Sequence, residues 1–79
     1  MRWTLSQIVE MVATALWGVR VGRIVTDVLA GRKDMEAAAD ALQRVPGFEK
    51  LSREEAIQQL RSACALTVRV VGVVLQLLA

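Results

Sequence analysis

A polar line with a spacing of seven runs through the most apolar part of this chain. Glu55, Ser62, Arg69 and Gln76 recur at that interval in a C-terminal segment rich in Val, Leu, Ala and Ile. Gln58, Ala65 and Gly72 fall between them. On a helix these positions form one narrow seam that is polar or small throughout. Ile57, Leu60, Leu66, Val70, Val73, Val74 and Leu77 cover the rest of the surface. A surface helix ordinarily shows the opposite balance, a limited apolar stripe on a wide polar body. The segment therefore expects apolar surroundings on most sides, supplied by lipid or by many protein neighbours.

The start of that helix is well marked. Ser52 and Glu55 match a capping box, in which a hydroxyl and a carboxylate each satisfy an amide left over at the helix end. The spacing predicts a helix over 52–79. Residues 67–74 are mostly β-branched and could form a strand, but a strand would place Arg69 on one face with Val71 and Val73. A first helix is expected over about 4–30: it has no proline, and its polar residues Gln7, Glu10, Thr14, Arg20, Arg23 and Asp27 recur at helical intervals. Gly31 is its stop. A short helix follows over about 34–45, capped by Asp34 and ended by Pro46-Gly47. The expected fold is all-α. It is a helical hairpin of two long apolar helices with a short middle helix in the connector, and residues 1–79 form a single helical subunit.

Composition supports an assembled or lipid-bound state. With 79 residues, a lone domain has a small core, yet 54% of the residues are hydrophobic. More apolar surface is present than one small globule easily buries, and self-association is the natural outlet. The net charge of +2 and the absence of any basic cluster beyond Arg32-Lys33 lend no support to sequence-specific nucleic-acid binding. No histidine is present, which removes histidine-based triads and zinc sites that use histidine. Cys64 is the only cysteine and reads as a small buried hydrophobe. There is no glycine-rich phosphate loop and no nucleophile beside a base, so neither an enzyme nor a cofactor is expected. Glu10 interrupts the apolar run that a secretory signal would need.

Three groups of residues are candidates for function. The first is the seam, where Arg69 is decisive. A bare guanidinium in hydrocarbon costs roughly 2.5–3.5 kcal/mol on insertion scales, so Arg69 must reach water, a lipid phosphate or a carboxylate. If the long helices run antiparallel, Glu10 lies about level with Arg69, which makes a Glu10–Arg69 ion pair, within or between subunits, the first expectation. Arg20, Arg23, Asp27, Arg32 and Lys33 are further candidates for ion pairing or lipid contact, with Arg23 and Asp27 spaced to pair along one helix. The second group is helix packing: Gly18 and Gly22 form a G-x-x-x-G where another backbone can approach, and Ala65 and Gly72 are the small positions of the seam. The third is Trp3 and Trp17. Trp3, beside Arg2, fits either an interfacial anchor or subunit packing.

In general plan the chain resembles conjugation-type pilins, the two-helix subunits of type IV secretion filaments. The shared features are two long apolar helices, a polar connector, a small-residue packing face and isolated arginines. The resemblance implies a self-assembling structural subunit, stored as a hairpin in a membrane and then polymerised into a helical filament or pilus at the cell surface. It also implies many copies, a bound structural lipid, and Arg69 or Arg32-Lys33 at the lipid headgroup. The first helix, with Glu10, Arg20, Arg23 and Asp27, is more charged than that pattern. The alternative is a soluble α-helical dimer or bundle acting as a binding or regulatory module.

Overall fold

A computed structural model describes residues 2–79. Three helices follow in order: α1 (Leu5–Leu29), α2 (Met35–Gln43) and α3 (Arg53–Leu78). Two are long and one is short, as the sequence leads one to expect, and no strand occurs among the described residues. The molecule measures 41 × 21 × 17 Å. At 1.5 Å per residue α3 is about 39 Å long, so it runs the whole length of the structure.

Each helix begins with a side chain that satisfies a free amide. Ser52 Oγ accepts from the Glu55 amide at 3.1 Å, and Glu55 Oε1 accepts from the Ser52 amide at 2.9 Å. Thr4 and Gln7 make the same reciprocal pair at the start of α1, at 3.2 and 2.9 Å. Asp34 Oδ1 accepts from the Ala37 amide at 2.8 Å at the start of α2. These contacts offset the helix-end amides that would otherwise lack partners.

Inside α1 the helix is broken at Gly18, whose φ of 83° and ψ of 173° lie in a region that only glycine enters readily. The two arms of α1 fold against each other there. A Cβ placed on Gly22 would lie 2.8 Å from the Ala13 carbonyl oxygen and 2.9 Å from Thr14 Cα. In an unbroken helix those residues would be about 13 Å apart. Leu5, Ser6 and Val9 also share a cavity of about 160 Å³ with Thr26, Leu29 and Ala30, so the start of α1 reaches its own end. The long first helix is thus itself a small hairpin, packed against α3.

The core has two parts. In the larger, Ile24 and Val25 of α1 meet Ala38, Ala39 and Leu42 of α2 and Ala56, Leu60, Ala63 and Cys64 of α3, with Ala13 from the first arm of α1. Ala13, Ala38, Ala39 and Ala56 are wholly buried, and such small side chains let helix axes come close. In the smaller part, Ile8 and Val12 pack on Val71. Between the two, Trp17 Nε1 donates to Thr67 Oγ1 at 2.8 Å, and Thr67 Oγ1 donates to the Ala63 carbonyl at 2.7 Å. Thr67 is fully buried, so this chain satisfies the polar groups that cross the α1–α3 contact.

Candidate assembly surface

The buried face of α3 is formed by Ala56, Leu60, Ala63, Cys64, Thr67 and Val71. At about 100° per residue, the seam lies on the far side of the helix from that face. Glu55, Gln58, Ser62, Ala65, Arg69, Gly72 and Gln76 are all exposed on the single chain. Glu55 keeps its capping role, and the Ser52 amide holds its carboxyl below the usual value.

Beside the seam runs a second apolar line that the chain covers only at Val70. Leu66, Val70, Val73 and Leu77 are spaced by four, three and four, which stacks them along one flank of α3. Leu66 is 41% exposed, Val73 55% and Leu77 79%, while Val70 is half-buried. The line opens at Leu66 into a groove of about 510 Å³ whose walls include Leu16, Trp17, Val21 and Phe48. Trp3, Leu5, Leu75 and Leu78 are also exposed. The uncovered apolar residues therefore concentrate on the first arm of α1 and the last half of α3. Between Ser62 and Ala79 the only charged side chain is Arg69. By length and composition α3 is able to cross a membrane, and 28% of its most apolar stretch is buried here. The two short arms of α1 do not meet that description.

Charged groups pair at the corners between the helices. Asp27 takes Arg32 Nη2 on Oδ1 at 2.9 Å and Lys33 Nζ on Oδ2 at 3.1 Å. The backbone amides of Arg32 and Lys33 both donate to the Asp27 carbonyl, because the chain turns back over the last turn of α1. Hydrogen bonding from Lys33 first, and then from Arg32, holds the Asp27 carboxyl below its ordinary value against the opposing effect of burial. Across the connector, Arg53 of α3 pairs with both Glu36 and Asp40 of α2.

Two of the expected pairs are not made within the chain. Among the described residues no ion pair joins Arg23 to Asp27, since Arg32 and Lys33 occupy the carboxylate. Nor does one join Glu10 to Arg69 within the chain. The level is as expected, because Ile8 packs near Val71, but the face is not. Ile8 and Val12 take the side toward α3, while Glu10 lines a polar cavity of about 310 Å³ with Thr14, Arg23, Asp27 and Arg32. Arg69 points from the opposite side of α3 and is exposed, as are Arg20 and Arg23.

The packing glycines divide in role. Gly22 is buried at the close approach inside α1, and Gly18 is the exposed break. Ala65 and Gly72 are exposed, and Gly72 has open space beside it. Thr67 and Asp27 carry contacts that sequence reasoning did not foresee. The regular spacing of Leu66, Val70, Val73 and Leu77 was the available signal for the apolar flank, but it was masked by the apolar residues around it. Among the described residues no group of three or more Cys, Asp or Glu is placed to hold a metal ion. No protein-family model, curated protein or solved structure matches this chain.

Proposed function

We propose that this chain is a self-assembling structural subunit, and that copies associate through the apolar flank and end formed by α3 and the first arm of α1. The observation that carries the reading is the apolar line Leu66, Val70, Val73 and Leu77, exposed at all but Val70, beside a seam whose one charge after Ser62 is Arg69. A monomer in water gains nothing from such a surface, whereas a neighbour of the same kind buries it. In its extended form the association is a helical filament or pilus of the conjugation-pilin kind, with a structural lipid and membrane storage before assembly. Arg69 then meets either a headgroup phosphate or a polar group of the next copy.

The second reading, a soluble helical dimer acting as a binding or regulatory module, is favoured by the break at Gly18. That break leaves α1 as two arms, each too short to cross a bilayer, whose hydrocarbon needs about 20 helical residues. The two readings separate cleanly by experiment. Negative-stain electron microscopy of concentrated protein is expected to show long filaments if the extended form is right. A defined dimer in detergent-free sedimentation, with no filaments, would remove the pilin form and leave the module. Lipid analysis of an organic extract of purified protein tests the structural lipid, and an extract free of lipid would remove it.

A further inference from the structure

We infer that two copies of this chain pair through α3 in antiparallel orientation, with Leu66 of each meeting Leu77 of the other and Val70 meeting Val73. The inference rests on the self-association proposed above, takes it in its dimeric form, and names its surface and geometry.

Area is the first argument. The chain exposes 5489 Å² for a mass of 8.7 kDa. A folded monomer of that mass is expected to expose about 4,700 Å². The surplus of roughly 800 Å² matches what one partner contributes to a standard interface. The elongated shape of 41 × 21 × 17 Å carries part of that surplus and the exposed flank of α3 another part.

Register is the second. A twofold axis passing between Val71 and Gly72 sets every member of the apolar line against another member of it. This is the self-complementary arrangement that a closed dimer requires. The same axis brings Leu77 of the second copy to Leu66, at the mouth of the groove walled by Leu16, Trp17, Val21 and Phe48. A parallel pair would set Leu66 against Leu66 at that mouth and bring the polar Gln58, Gln59 and Ser62 over the rest of the groove.

Electrostatics is the third. A parallel pair sets Arg69 level with Arg69, which is unfavourable. The antiparallel pair offsets the two by about 7 Å along the axis. It places each Arg69 within a turn of Gln76 and Gly72 of the other copy, so an amide oxygen is at hand and no Cβ crowds the approach. Hydrocarbon would offer that guanidinium neither advantage, and Arg69 borders the apolar line throughout. A second copy is therefore the better occupant of this flank than lipid.

The test uses the full chain with Cys64→Ala, carrying either Leu66→Cys or Leu77→Cys. Mixed and oxidised, the two variants are expected to yield a 66–77 disulfide dimer as the main product by mass spectrometry. Either alone is expected to yield little, because like positions lie about 16 Å apart along the axis. Efficient cross-linking of each variant with itself would establish a parallel pair and overturn the inference. Val73→Glu changes an exposed position and leaves the core intact; it is expected to shift sedimentation from dimer to monomer with helical circular dichroism unchanged. A wild-type chain that sediments as a monomer would overturn the self-association reading as well. If the wild type associates, while Val73→Glu also does and no 66–77 product forms, only this interface is overturned. Flotation with phosphatidylcholine vesicles that Val73→Glu abolishes, without cross-linking in solution, would assign the flank to lipid and also overturn it.

Discussion

Gly22 shows how one missing carbon can hold a fold together. Its surface lies directly on the backbone of Ala13 and Thr14, and a Cβ there would come within 3 Å of main-chain atoms that have no rotamer to escape into. Elsewhere on a helix, Gly→Ala stabilises by up to about 1 kcal/mol through propensity. At position 22 the overlap outweighs that gain, because opening a packed contact typically costs 1–3 kcal/mol. Gly22→Ala is therefore expected to lower the urea midpoint, and an unchanged or raised midpoint would show that the arms of α1 do not touch there. Gly72 is the control on the same chemistry. It has nothing within 4 Å, so Gly72→Ala in the isolated chain should keep the propensity gain.

At the level of elements, the decisive event is the reversal of α1. Gly18 has open space for a side chain but a backbone conformation that other residues enter only at about 1–3 kcal/mol. Gly18→Ala should destabilise the fold by an amount in that range, read by thermal or denaturant unfolding; a neutral effect would argue for a straight α1. The starts of α2 and α3 could be read from Asp34 and from Ser52 with Glu55, because capping chemistry is local. Thr4 and Gln7 carry the same local signal at the head of α1. The break was not legible, because a G-x-x-x-G pattern reports two small surfaces and says nothing of φ. The solvent-facing seam was legible as a line, but not as the side opposite the core: apolar residues flank it on both sides, Leu66, Val73 and Leu77 on one and Val68 and Leu75 on the other, and the placement of α1 and α2 leaves both exposed. The corner after α1 adds a pH dependence. The Asp27 carboxyl titrates below its unfolded value of about 3.9, so its contribution is complete above that pH and is lost as pH falls through the folded value. Asp27→Asn should remove that part of the acid sensitivity, seen as a smaller drop in urea midpoint between pH 7 and pH 3. An equal drop in both proteins would mean that the Arg32 and Lys33 contacts do not form.

For the whole molecule, polarity is graded along α3, which spans the 41 Å axis. Ion pairs of Arg53 with Glu36 and Asp40 lie at the α2 end of α3, while Leu77 and Leu78 are exposed at its other end, where Trp3 borders Leu75 and Leu78. A 79-residue chain with a core built largely of alanine has little stability to spare, so covering the α3 flank should add to folding itself. Stability then becomes linked to concentration, since a partner that binds only the folded chain shifts the equilibrium toward it. For 158 residues unfolding together from a dimer, the enthalpy is about 110 kcal/mol at roughly 0.7 kcal/mol per residue. The thermal midpoint should rise by roughly 4 °C for each tenfold increase in protein concentration when folding and pairing are one step. Val73→Glu should flatten that dependence while leaving the helical signal in place. A wild-type midpoint that does not move between micromolar and near-millimolar protein would mean that each chain folds alone, with its apolar flank left in water.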